Sequence, residues 1–221
     1  MTVLDWLFVG GLSTALLCLV IGVFFFILIF GLMKQYTELG KKRPKNKKKK
    51  KRWVRTRRKL KNKKNSYIKR SITLLIISAS FASGAVYARY YQLTNLSSAD
   101  GNIIVQSYFI TDEVEKSLTS LQNGADVDKT REKLLELSSL LVSYGGTLPE
   151  NGLSQKGQQM MNRYYVQIRE YGVNIYSLSS EQLSEPERIT GYLEDLKRIK
   201  QTQKKIFKQF SVNESALRQK K

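Results

Sequence analysis

The chain has 221 residues and a formal net charge of +20, with a single cysteine and no histidine. The missing histidine removes the commonest general base, the commonest metal ligand and every Ser-His or Cys-His nucleophile pair, and the single cysteine excludes an intrachain disulfide or a cysteine zinc cluster. Because there is also no Gly-rich phosphate loop, metal-spaced cluster or nucleophile elbow, we expect no enzymatic activity, no cofactor and no metal.

After a short N-terminus at residues 1–5, residues 6–33 form an uncharged apolar run. As a helix this run would be about 42 Å long, against about 30 Å of hydrocarbon in a bilayer. A signal peptide is a poorer match, because the leading MTVLD carries an acid and no Lys or Arg and because the run is too long. The run predicts a first transmembrane helix. Lys34 follows it, which places the N-terminus outside the cell.

Residues 34–70 carry nearly all of the net charge, with 20 Lys or Arg against one acid, Glu38. Such a segment predicts a polybasic cytoplasmic loop, since cytoplasmic loops collect Lys and Arg. It could act only as a solvated topology signal, or it could attract anionic lipid headgroups by about 1 kcal/mol per basic residue. Nucleic-acid binding ranks below both, because aromatic residues are sparse and no binding fold is evident. The candidate lipid-surface residues are Lys47, Lys48, Lys49, Lys50, Lys51, Arg52, Trp53, Arg55, Arg57, Arg58 and Lys59.

The second apolar segment, residues 71–91, predicts another transmembrane helix. Ser80, Gly84 and Ala88 recur at intervals of four, which is typical of a face that another helix approaches closely. The partner could be the first helix, where Gly11 and Ala15 have the same spacing, or a second copy of the chain. An alternative remains open, because the basic residues, the apolar core and Ala88 also resemble a signal sequence with its cleavage site.

Residues 92–210 predict an extracytoplasmic helical domain of about four antiparallel helices, followed by a flexible polar tail at 211–221. The first helix covers 102–121, and the second begins after Asp126 or Asp128 and ends at a Gly-Gly pair. Ser154 can cap the third, and a Ser-x-x-Glu capping box from Ser184 to Glu187 can open the fourth. No stretch alternates with period two for long enough to predict a sheet.

The third and fourth helices each carry apolar side chains at alternating intervals of three and four, a heptad pattern that predicts a helical hairpin. The positions expected in this bundle seam are Met161, Tyr164, Ile168, Tyr171, Ile175, Ile189, Leu196, Ile199 and Phe210.

Together these features predict an all-α membrane protein with two transmembrane helices and an external helical bundle. We expect a non-catalytic scaffold or accessory subunit of a cell-envelope assembly, such as secretion, conjugation or cell-wall machinery. The expected partners are the membrane, anionic lipid headgroups, other envelope proteins and a second copy of the chain. Two other hypotheses stay open: an immunity or inhibitor protein that captures a toxin or hydrolase, and a binder of anionic lipid or nucleic acid. The Lys-rich, His-free composition is typical of a low-GC Gram-positive bacterium.

Overall fold

The computed structural model describes residues 3–41 and 44–219, and within those ranges it is helical with no strand. Residues 1–2, 42–43 and 220–221 belong to the predicted N-terminus, basic loop and tail and lie outside the described residues. The chain divides into two compact units, Met1–Tyr91 and Gln92–Lys221. The helices are α1 (Val3–Lys41), α2 (Lys47–Thr94), α3 (Ser98–Gln122), α4 (Val127–Gly145), α5 (Gln155–Tyr176), α6 (Ser180–Leu183), α7 (Pro186–Gln209) and α8 (Glu214–Gln219).

The first unit contains two helices that are long and apolar enough to cross a membrane. Their lengths of 39 and 48 residues correspond to about 58 and 72 Å, so each is longer than the hydrocarbon of a bilayer. Only 17% and 22% of their most apolar windows are buried. The apolar side chains therefore face outward, unlike those of a core helix in a soluble protein.

The two long helices pack antiparallel through small residues. Ser71 and Ser78 of α2 are buried, and their hydroxyls donate to the carbonyl oxygens of Gly22 and Ala15 at 3.0 and 2.7 Å. Toward the N-terminus of α1, a methyl group added to Gly11 would lie 3.2 Å from Cβ of Ala85. The small side chains let the backbones approach closely, and the serine hydroxyls are satisfied without water.

The basic segment, predicted as a polybasic cytoplasmic loop, is largely helical in the described residues. Residues 34–41 continue α1, residues 47–70 form the first half of α2, and Asn46 accepts from the backbone N–H of Lys48 at 3.1 Å where α2 begins. Like-charge repulsion opposes a helix here. Packing against α1 offsets this repulsion, and the indole of Trp53 donates to the carbonyl oxygen of Leu39 at 2.8 Å.

The second unit is an up-down bundle in which α3, α4, α5 and α7 form a ring. The helices α4 and α7 each pack against both α3 and α5. Lys200 of α7 pairs with Asp112 of α3, and Phe207, later in α7, packs on Tyr108, earlier in α3, so these two helices are antiparallel. On the other side of α3, Glu113 pairs with Lys133 of α4, which follows α3 after a short connection and runs antiparallel to it. This agrees with the helical bundle predicted from the sequence. The apolar seams of all four helices meet in one core.

The closest helix pair is α4 with α5, which the heptad pattern did not single out. A methyl group on Gly145 would lie 2.5 Å from the carbonyl oxygen of Tyr165, and one on Gly172 would lie 2.8 Å from that of Ser138. Real Cβ atoms do not approach backbone that closely, so both positions require glycine. Gly145 therefore serves packing as well as ending its helix.

The helix ends follow the sequence in two places and depart from it in two others. Side chains of Asp126 and Ser154 cap α4 and α5. The capping box lies at Ser179 and Gln182, where the short helix α6 begins, and not at Ser184. The helix α7 starts with Pro186 at its first turn after Glu185, which makes no side-chain cap. The predicted polar tail contains the short helix α8.

Candidate functional site

We define the basic arm as residues 34–41 of α1 and 47–70 of α2. Aromatic and cationic side chains hold the two helices of this arm together. The guanidinium of Arg57 lies 5.1 Å from the ring centroids of both Tyr36 and Trp53, and Nζ of Lys64 lies 5.5 Å from the Tyr36 ring. A cation over an aromatic face is attracted by the ring quadrupole, by about 0.5–1 kcal/mol at exposed sites. These contacts allow the cationic helix to pack without acidic partners.

A small groove opens beside this stack, with a volume of about 320 Å³. Its lining residues are Tyr36, Trp53, Val54, Arg57, Arg58 and Lys61. Nε of Arg57 is buried in the structure and has no hydrogen-bond partner there. The exposed cations of the lining, Arg58 and Lys61, can bind the oxygens of a phosphate or carboxylate.

The candidate lipid-surface residues occupy the first part of α2, from Lys47 to Lys59. Those from Lys47 to Arg52 and at Arg55, Arg58 and Lys59 are exposed, whereas Trp53 and Arg57 are half-buried against α1. The structure therefore brings the cations together on one long helix. Sequence analysis did not find Tyr36 as their partner, although its spacing from Leu32 and Leu39 continues the intervals of four and three along α1.

The three residues of the predicted transmembrane packing face do not all face α1. Ala88 is buried, but Ser80 and Gly84 are exposed, and nothing lies within 4 Å of a methyl group placed on Gly84. The face that meets α1 instead carries Ser71, Ser78 and Ala85. Their spacing of seven residues is the signal that would have found them, because it continues the heptads of an antiparallel pair. Packing of Ser80 and Gly84 against a second copy stays a prediction.

In the second unit, every predicted seam residue is buried, and a hydrogen-bonded tyrosine lies at the centre. The hydroxyl of Tyr164 lies 2.8 Å from Oγ of Ser107 and accepts from the amide of Gln203 at 2.8 Å, so one side chain connects α3, α5 and α7. Complete burial raises the pKa of Tyr164 far above its ordinary value, against a smaller lowering by the two hydrogen bonds. A neutral, fully paired hydroxyl of this kind specifies packing and offers no reactive group.

A second polar contact fixes the start of α3. Asp100 is buried, and its carboxylate accepts from the hydroxyl of Tyr165 at 2.7 Å, from that of Ser97 at 3.2 Å and from the backbone N–H of Glu150 at 3.1 Å. Burial, followed by the hydrogen bond to this carboxylate, raises the pKa of Tyr165. The N–H of Glu150 ties the loop before α5 to the first turn of α3, and the hydroxyl of Tyr165 ties α5 itself to the same turn.

The outer surface of the bundle carries a mixed-charge groove between α3 and α7, with a volume of about 610 Å³. Lys200 bridges the two helices through Asp112 at 3.5 Å and through Glu115. The groove is lined by Glu115, Thr119, Thr190, Leu193, Glu194, Lys197, Lys200, Gln201 and Lys204. It presents charges of both signs beside apolar surface that includes Leu193, so it suits a charged segment of another protein.

Within residues 3–41 and 44–219 no group of three or more His, Cys, Asp or Glu side chains is placed to hold a metal ion. Comparison with known proteins adds no relative: no protein family, no curated protein and no solved structure matches the chain.

Proposed function

We propose that the chain is a two-pass membrane protein that acts as a non-catalytic scaffold or accessory subunit of a cell-envelope assembly. The helices α1 and α2 anchor it, and the helical bundle docks a partner outside the membrane. The basic arm lies in the cytoplasm, while the N-terminus and residues 92–221 lie on the opposite side. Anionic lipid headgroups are partners of the cytoplasmic side.

The observation that carries the membrane location is the outward-facing apolar surface of the hairpin. Trp6, Leu17, Phe24, Ile27 and Phe30 are all more than half exposed, at 57–67%. A soluble protein rarely leaves so continuous a surface in water, because each large side chain gains about 1.5–3 kcal/mol when it is fully buried. Lipid would cover this surface, and the concentration of Lys and Arg in 34–70 supports a cytoplasmic arm.

The groove between α3 and α7 is our candidate for the docking surface of the bundle. The buried polar side chains at the centre of the bundle, Tyr164, Gln203 and Asp100, are already paired within the domain. The mixed charges of Glu194, Lys197 and Lys204 remain at the surface, and they suit a polar helix of an envelope protein that carries charges of both signs.

The test is co-purification of the tagged full-length chain after extraction in a mild detergent, with chemical crosslinking and identification of bound proteins. Exchanging the charges of the groove, with Glu194→Lys and Lys197→Glu together, should lower partner recovery about tenfold or more. The matched control exchanges the exposed ion pair on the same helix, Asp195→Arg with Arg198→Asp, and should keep the partner. Equal recovery from both variants would exclude the groove, and a chain that retains no envelope protein would refute the scaffold function.

A further inference from the structure

The apolar parts of α1 and α2 are out of register with each other. Leu39 lies opposite Trp53, Phe25 packs on Tyr67 with ring centroids 5.4 Å apart, and Gly22 lies opposite Ser71. The two helices are therefore antiparallel, and each step of one residue along α1 corresponds to a step of one residue back along α2. The apolar run of α1 reaches Met33, but that of α2 begins only at Ser71, opposite Gly22. Residues 23–33 of α1 thus run beside residues 60–70 of α2, and we call this double segment the staggered band.

The staggered band has an apolar side and a cationic side. On α1, Phe24, Phe26, Ile27 and Phe30 are 51–63% exposed. On α2, four cations are exposed at the same level: Lys61, Lys63, Lys69 and Arg70. Nζ of Lys63 also lies 5.7 Å from the ring of Tyr67, which faces Phe25, so the two sides adjoin.

Neither water nor hydrocarbon alone suits this band. Water leaves the phenylalanines exposed, whereas hydrocarbon strips the ammonium groups of their hydration. The boundary of a bilayer satisfies both sides, because lysine and arginine stems can lie along apolar chains while their charged ends reach the headgroups. An anionic phospholipid supplies both complements in one molecule, with acyl chains for α1 and a negatively charged headgroup for α2.

The lysines at the start of α2 lie too far from the band for the same role. From residue 60 to residue 47 the helix rises by about 20 Å. Exposed charges at that separation are about two Debye lengths apart at 0.1 M salt, where the Debye length is about 10 Å. If the arm continues outward from the bilayer, its end adds little to lipid attraction.

We propose that the staggered band binds anionic phospholipids, with acyl chains along Phe24–Phe30 of α1 and the phosphates of neighbouring headgroups paired with Lys61, Lys63, Lys69 and Arg70 of α2. The proposal rests on the proposed membrane location and deepens it, because it moves lipid recognition from the end of the arm to the level where the apolar runs are offset.

The experiment compares two triple variants of the full-length chain with equal changes in charge. The band variant replaces Lys61, Lys63 and Lys69 by glutamine, and the matched control replaces Lys47, Lys49 and Lys51, which are exposed as well. Each protein is reconstituted in nanodiscs of mixed phosphatidylglycerol and phosphatidylcholine, and the enrichment of phosphatidylglycerol next to the protein is measured by native mass spectrometry. Each lysine near the membrane surface raises the affinity for anionic lipid about fivefold. The affinity of the band variant for phosphatidylglycerol should therefore fall at least tenfold. The control should lose less than twofold.

Equal losses in the two variants would overturn the proposal in favour of charge without a site, and unchanged enrichment in both would overturn it outright. A wild-type chain that prefers duplex DNA over phosphatidylglycerol vesicles in direct competition would also overturn it. Far-ultraviolet circular dichroism checks that both variants keep the helicity of the wild type. Alkaline carbonate extraction of native membranes separates the two proposals: a chain released by carbonate refutes the membrane location itself. A chain that stays membrane-bound, and whose band variant retains phosphatidylglycerol, refutes only the lipid site.

Discussion

Glycine at positions 145 and 172 should control how closely α4 and α5 pack. An alanine methyl at Gly172 would lie 2.8 Å from the carbonyl oxygen of Ser138 and 3.0 Å from Cβ of Leu141, so it meets backbone and a Cβ atom that side-chain rotation cannot move away. Overpacking of this kind costs about 1–3 kcal/mol. Alanine recovers about 0.5–1 kcal/mol of helix propensity, which leaves a net loss of up to about 2.5 kcal/mol for Gly172→Ala. Gly145→Ala, with a contact of 2.5 Å, should lie at the upper end of this range or above.

The measurement is urea unfolding of residues 92–221 followed by circular dichroism, since these residues form a compact unit of their own. Gly191→Ala in α7 is the matched control, because nothing lies within 4 Å of its added methyl group. It should stabilise the domain by about 0.5–1 kcal/mol through helix propensity alone. If Gly145→Ala and Gly172→Ala were as stable as Gly191→Ala, the close packing of α4 on α5 would be wrong.

Three further expectations concern the core of the bundle. Tyr164→Phe should cost about 1–3 kcal/mol because it leaves the buried amide of Gln203 without its acceptor, whereas Tyr176→Phe at an exposed position should change the midpoint little. The raised pKa values of Tyr164 and Tyr171 contribute stability that is present below the unfolded pKa of about 10 and is lost as pH rises toward the folded values. Absorbance at 295 nm should therefore show Tyr164 and Tyr171 ionising only as the domain unfolds. If both ionised near pH 10 in the folded domain, together with the exposed tyrosines, their burial would be contradicted. Ile168→Asp should cost several kcal/mol, because it places an unpaired carboxylate at a fully buried site, and an unchanged melting curve would count against the bundle.

Periodic apolar positions were the reliable part of the sequence. The intervals of three and four from Met161 to Ile175 and from Ile189 to Phe210 mark the buried faces of α5 and α7, because burial of one helix face imposes that period. The caps at Asp126 and Ser154 were also predictable, since short polar side chains satisfy the free N–H groups of a helix start.

The helical state of the basic segment was not predictable from its charge, because local charge says nothing about a distant partner. The contacts of Trp53 with Leu39 and of Arg57 with Tyr36 join residues that are 14 and 21 positions apart in the chain, and they offset the repulsion between neighbouring lysines. The same limit applies to the glycines. Nothing in the local pattern distinguishes Gly172, which touches another helix, from a glycine that faces solvent.

Chemical labelling of single cysteines on intact cells tests the membrane topology most directly. Lys47→Cys and Lys156→Cys are made separately in a Cys18→Ala background, both at exposed positions. A membrane-impermeant maleimide should label position 156 on intact cells and position 47 only after permeabilisation, because segments rich in Lys and Arg are retained in the cytoplasm. Labelling of position 47 with protection of position 156, or equal access to both from outside, would contradict a two-pass protein with an external helical bundle.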